Sequence, residues 1–155
     1  MAQSIEEFWE AARQALPAET AGKSYRTRSF GNDEAISRVI LDLILAGKKT
    51  GTFAVDWEYD ARQEPRPGEG DLYIVNDHAG EPRALVRITA TERVAFRDIG
   101  ERHVQCEGPA LRSVEPWRRL HWDYWSRTLR KIGREPAEDM PILYQAFELL
   151  YPNVP

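Results

Sequence analysis

The chain has 155 residues, 42% of them hydrophobic and 30% charged, with 10 Gly and 10 Pro, which is the make-up of one soluble globular domain and excludes a disordered chain. Lys and Arg number 21 against 25 Asp and Glu, a net charge of −4, which argues against a generic polyanion binder. One cysteine, Cys106, excludes an internal disulfide and a multi-cysteine zinc site, and no apolar run is long enough for a signal peptide or a membrane span, so the default location is cytoplasmic.

The charge is unevenly spread. Residues 1–82 carry 9 Lys/Arg against 15 Asp/Glu, whereas residues 83–134 carry 12 basic residues, 11 of them Arg, against 6 acidic ones. Residues 135–155 carry 4 acidic residues and no basic one. Guanidinium forks bind phosphate and carboxylate bidentately, so the middle segment can recognise such groups; the plainer alternative is that its arginines solvate element faces.

Ser4, with Glu7 three residues later, predicts a capping box that opens a first helix carrying Ile5, Phe8, Ala12 and Leu16 at helical spacing. Residues 18–31 are polar and read as a connection. A second helix opens at Asn32 or Asp33, with Ile36, Val39, Ile40, Leu43 and Ile44 as its buried stripe and Gly47 as a left-handed cap. The pattern then turns to strands: Thr50 to Val55, Leu72 to Val75 and Ala84 to Phe96, with Pro65–Gly70 as a connector. Asp77 to Gly80 closes a hairpin. A third helix runs from Val114 to Ile132, capped by Ser113 and ended by Gly133, with Val114, Trp117, His121, Tyr124, Thr128 and Leu129 as its stripe. Ile142 to Tyr151 is a closing strand. This is an α+β domain, a small, largely antiparallel sheet with helices packed on it.

Three scattered histidines, His78, His103 and His121, without a His-x-x-x-His pair make a structural metal site improbable. Gly68-Glu69-Gly70-Asp71 precedes a strand rather than a helix, so it is no phosphate loop. The dense constellation is Gly47-Lys48-Lys49-Thr50-Gly51-Thr52, where a helix gives way to a strand. Lys48 is explained by the negative end of the helix dipole. Lys49 and Thr52, three residues apart, can bring an amine to a hydroxyl, and an unprotonated lysine can activate such a nucleophile. An acid would then orient the lysine or shuttle its proton, and Glu107 is the candidate. Trp57 stands in Asp56-Trp57-Glu58-Tyr59-Asp60, a polar setting that suits a partly exposed, base-stacking ring, and Trp122 falls off its helix's main stripe; Trp117 is better explained by core packing.

The constellation is followed by Trp57-Glu58-Tyr59, Pro67-Gly68-Glu69-Gly70-Asp71, Leu85-Val86-Arg87-Ile88-Thr89-Ala90-Thr91, Glu107-Gly108, Ser113, Trp117-Arg118 with His121, and Arg134-Glu135-Pro136 with Glu138-Asp139-Met140-Pro141. In this order, over about residues 28–151, the chain resembles the ASCH family, a branch of the PUA-like superfamily. The resemblance implies a small, mostly antiparallel PUA-like β-barrel flanked by helices, with a cleft beside the Gly-x-Lys-x-x-Thr segment. It implies a single domain over 1–155, to which the N-terminal helix (about 4–16) is an addition. It also implies RNA binding, and hydrolysis in some members: one type cleaves RNA, and a shorter type removes acyl groups from N4 of cytidine with a Lys-Thr-Glu set that falls here on Lys49, Thr52 and Glu107.

The chain's greater length, and Lys48 ahead of Lys49, favour the RNA-associated type. The leading expectation is therefore a hydrolase of single-stranded RNA in a cationic cleft, with Lys49, Thr52 and Glu107 catalytic. Lys48, Trp57, Arg87, Ser113, Arg118 and His121 would hold the substrate. No cofactor is required by this reading, and a divalent metal is an option for RNA cleavage. The alternatives are an amidohydrolase acting on a modified nucleoside and a non-catalytic RNA-binding module; none of the three specifies an oligomeric state.

Overall fold

In the computed structural model, which describes residues 2–152, the first helix opens as the cap predicts. Ser4 Oγ accepts from the Glu7 amide at 3.1 Å, and the Glu7 carboxylate accepts from the Ser4 amide at 3.0 Å. Helix α1 (Ile5–Ala15) buries Phe8 and Ala12. The stretch after it holds two elements rather than a bare connection: the short helix α2 (Pro17–Thr20) and strand β1 (Tyr25–Ser29). β1 runs parallel to a strand more than forty residues later, pairing Tyr25 with Leu72, and its Tyr-Arg-Thr-Arg-Ser sequence carries little apolar signal.

Asp33 caps helix α3 (Glu34–Leu45) by accepting from the Ile36 amide at 2.9 Å. The expected stripe is corrected by about one position. Ser37, Leu41 and Ile44 are buried, whereas Ile36 and Val39 are 45% and 59% exposed. So many aliphatic residues line this helix that periodicity left two faces nearly equivalent, and packing chose between them. Gly47 has φ +72°, and the amides of Lys48 and Lys49 both donate to the Leu43 carbonyl, wrapping the chain over the helix end.

Strand β2 (Gly51–Val55) follows, then helix α4 (Trp57–Arg62), which the polar sequence did not suggest. Strands β3 (Leu72–Asn76) and β4 (Pro82–Ala95) pair antiparallel across the expected hairpin, where Gly80 takes φ +88°. A one-turn helix α5 (Glu101–Val104) precedes α6 (Val114–Arg130), and β5 (Pro141–Tyr151) closes the order. Ser113 occupies the N-cap position of α6, yet its side chain makes no capping hydrogen bond, so the expected cap is positional only. Trp125 joins Trp117 and Leu129 on the buried face of α6, while Tyr124, assigned to that face from spacing, is exposed. The strands form one mixed sheet in the order β1-β3-β4-β5-β2, in which β1/β3 is parallel, and β3/β4 and β2/β5 are antiparallel.

Packing divides the chain into two compact units. The first comprises the chain up to Thr50, Glu69–Thr89 and the chain from Phe147. Its apolar clusters are largely aliphatic: Leu41, Ile44, Val75, Val86 and Ile88 in one, Phe8, Leu72, Ile74 and Leu85 in the other. The second comprises Gly51–Gly68 and Ala90–Ala146 and buries Phe53, Phe96, Trp117 and Trp125 together with Val55, Ile99 and Met140. Among the described residues no helix is long and apolar enough to cross a membrane.

Candidate active site

In the second unit, β2 begins against the segment that follows α5. A Cβ built on Gly51 would lie 2.6 Å from the Gln145 carbonyl oxygen and 2.8 Å from Cys106 Cβ, so only glycine fits between them. This close approach sets Thr52, half-buried and paired with Gln145 on β5, one residue from the contact; Glu107 is likewise one residue from it. The glycine inside a β-prone run is the sequence signal that could have pointed to Cys106.

Glu107 is 4% exposed. Its amide donates to the Val104 carbonyl at 3.0 Å, and its own carbonyl accepts from Arg112 Nε at 2.8 Å, which anchors the backbone. Its Oε2 lies 3.8 Å from His121 Nε2. His121 Nδ1 is 2.9 Å from the Trp117 carbonyl, and its ring stacks on Trp117 at 4.4 Å, with Trp125 at 5.0 Å and Phe53 at 6.0 Å. A buried carboxylate facing an imidazole inside an aromatic enclosure can hold and move a proton.

His103, three residues before Cys106, is buried as well. Its Nδ1 accepts from the Gly100 amide at 3.0 Å, its Nε2 lies 3.4 Å from Glu92, and its ring packs edge-on to Tyr144 at 5.3 Å. The Arg102 guanidinium, hydrogen-bonded to Glu92, holds that carboxyl below the usual carboxylate range, and burial pushes the Tyr144 phenol up. Sequence reading passed over His103, whose spacing from its partners carries no motif.

The remaining predicted residues are dispersed. Lys49 belongs to the first unit and is 6% exposed, in contrast to the exposed Lys48 beside it at the end of α3. Arg87, also in the first unit, donates through Nε to Glu148 at 2.8 Å. In the second unit, Trp57 opens α4 and is half-buried, with the Arg134 guanidinium 4.2 Å from its ring centre. Arg118 donates to the Arg97 carbonyl at 3.2 Å, lies 3.6 Å from Glu115, and lines a cleft of about 400 Å³ with Phe96, Arg119, Trp122 and Asp123. Ser113 is exposed ahead of α6. Asp56 is the other buried carboxylate of this unit, gripped by Arg66 at 2.7 and 2.9 Å and by Arg93 at 3.2 Å. Among the described residues no three His, Cys, Asp or Glu side chains gather as metal ligands would.

A family model described as the ASCH domain matches residues 26–151. Of solved structures, an ASCH domain from Lactobacillus crispatus JV V101 is similar at 27% identity, covering 95% of this chain and 94% of that one, with a TM-score of 0.87. Protein EF3133 from Enterococcus faecalis V583 is similar at 23% identity, covering 95% and 90%, with a TM-score of 0.84. These likenesses carry the α+β, barrel-like fold class. No curated protein matches the sequence.

Proposed function

The chain belongs to the ASCH domain family, whose members generally bind RNA, and on that premise we propose that it is a hydrolase acting on one N4-acylated cytidine rather than on the RNA backbone. The observation that carries this reading is the carboxylate of Glu107, 4% exposed and 3.8 Å from His121 Nε2, in the unit that also holds the half-buried Thr52. A neutral amide substrate needs a nucleophile and proton transfer more than it needs positive charge.

The charge pattern supports the same choice. In the Arg-rich segment, Arg87 pairs with Glu148, Arg93 with Asp56, Arg102 with Glu92, Arg118 with Glu115 and Arg127 with Asp123. A phosphate backbone would have to displace carboxylates from these guanidiniums, so the segment offers a weaker cationic track than its +6 charge suggests.

In the reaction, Thr52 Oγ1 attacks the acyl carbonyl carbon and Lys49 takes its proton. The C–N4 bond breaks, and Glu107 gives its proton to N4 as cytidine leaves. Water then attacks the threonyl ester and loses a proton to Glu107; the carboxylic acid departs and Thr52 takes its proton back from Lys49. Each group ends as it began.

Ultraviolet monitoring of N4-acetylcytidine tests this. Turnover is expected in the wild type and a loss of at least about 100-fold in Thr52→Ala and Lys49→Ala; an unchanged spectrum at high enzyme concentration overturns the reading. Single-stranded RNA cleavage is the second reading, supported by Phe96 and Trp122, rings suited to stacking on bases, in a cleft where Arg118 and Arg119 stand with Glu115, Asp123 and Glu138. Labelled single-stranded RNA, with and without Mg²⁺ or Mn²⁺, separates it from the first. Salt-sensitive RNA binding without any turnover identifies a binding module.

A further inference from the structure

Helix α3 turns two of its large aliphatic side chains into solvent, Ile36 at 45% and Val39 at 59% exposure. A single exposed aliphatic needs no explanation, but these two belong to a patterned face. Successive helical residues turn by about 100°, so Ala35 and Val39 share one line, which Ala46 extends just past the helix end. All three are exposed. On one flank of that line stand Ile36 and the half-buried Leu43; on the other stand Arg38 and Asp42, both exposed. Ser37, Leu41 and Ile44 are the buried side of the helix, with Leu41 and Ile44 packed into the first unit's aliphatic interior.

The exposed face runs alike from either end, except that its charges invert. Counted about a point near residue 40, Ala35 answers Ala46, Ile36 answers Leu43 and Arg38 answers Asp42. Beyond them, the acids Asp33 and Glu34 stand at the start of the helix and Lys48 follows its end. Two antiparallel copies of α3, related by a two-fold axis that lies between them at right angles to both, match each residue with its counterpart and keep each flank on its own side. Ile36 then packs on the partner's Leu43, the two copies of Val39 meet near the axis, and Arg38 faces the partner's Asp42. The acidic first turn comes beside the partner's Lys48, and the helix dipoles run opposed. A parallel pairing would instead set arginine against arginine and aspartate against aspartate. Within the chain, Arg38 lies 3.3 Å from Glu34 with side chains 71% and 74% exposed, and so open an ion pair contributes little that an exchange of partner would lose.

We propose that α3 is the contact face of a two-fold homodimer, in which a second copy of this chain covers Ile36, Val39 and Leu43. One pair of helices buries less than a standard interface, so the assembly is concentration-dependent, with a Kd on the order of 10–100 μM. The dimer stands whether or not the chain hydrolyses an amide, since the pairing is decided by the exposed face of α3 alone.

Sedimentation of the full chain from about 5 to about 500 μM tests this, a range that brackets the expected Kd. The mass is expected to rise from 17.8 kDa toward twice that value. Val39→Glu, at an exposed position, is expected to keep the circular dichroism of the wild type and to hold the mass at that of one chain throughout. Arg38→Glu and Asp42→Arg each set like charges opposite one another and are each expected to weaken association at least about 10-fold; the two together are expected to restore it to within about threefold. A wild type that stays at the mass of one chain up to the highest concentration overturns the proposal. So does a dimer that Val39→Glu leaves intact, or a charge exchange that fails to restore association. A mass that climbs past two copies also overturns it, because a two-fold contact closes at two.

Discussion

The two compact units differ in what they bury. In the first, Ile74, Val75, Ala84, Leu85, Val86 and Ile88 are fully buried, a tight aliphatic interior whose polar members are Thr20, Ser37 and Lys49. In the second, aromatic rings dominate, and the buried polar residues are Asp56, His103, Glu107 and Gln145. Aliphatic side chains offer polar groups no compensation, while ring edges and faces carry partial charge that does. Of the two interiors, the aromatic one can therefore keep a carboxylate and an imidazole out of water within reach of each other.

The largest effect that sharpens this comparison is expected at Trp117, which touches Phe53, Phe96, Trp125 and His121. Trp117→Ala should cost about 3–5 kcal/mol, lowering Tm by roughly 10 °C in calorimetry. It should also disturb the NMR signals of His121 more than those of His103. In the first unit, Leu41→Ala should cost about 2–4 kcal/mol in urea unfolding, whereas Val39→Ala should stay within about 0.5 kcal/mol. Equal costs at the two positions would return the buried face of α3 to the one periodicity suggested.

A smaller loss, about 2 kcal/mol, is expected from Asp56→Asn, since the buried carboxylate answers two guanidiniums. The least is expected from two carboxylates with opposite pH behaviour. Arg102 holds Glu92 below its ordinary range, so its contribution to stability is present above that range and fades as pH falls through it. Burial raises Glu58, with Arg62 and Thr128 working against the rise, so its ionised form opposes folding and stability from this group is lost as pH rises. Glu58→Gln should therefore raise Tm at neutral pH and have little effect at pH 3, while Glu92→Gln should lower Tm at neutral pH only. Melting curves at the two pH values read both.

Much of this was legible along the chain because the rules involved are local. The Ser4–Glu7 box, the Asp33 cap, the left-handed Gly47 and the Asp77–Gly80 hairpin each need only a few neighbouring residues, and each stands as expected. Strand β1 escaped because its hydrogen-bond partner is β3, far along the sequence, and a polar edge strand shows no alternation of its own. Helix α4 escaped because Trp57-Glu58-Tyr59-Asp60 has no apolar period. The Lys49, Thr52 and Glu107 set was named from residue types and family resemblance. Nothing in spacing could show that Gly51 would press on Cys106, or that a histidine fourteen residues beyond Glu107 would face it.

By itself the sequence determined the α+β class, most of the caps and turns and the residue types available for chemistry. All of these follow from backbone preferences and short-range hydrogen bonds. Only the tertiary structure decided which aliphatic face of α3 is buried, which arginines answer carboxylates, and which histidine nitrogen meets which carboxylate. Those are contacts between distant segments, set by close packing and by the rule that a buried polar atom must find a partner.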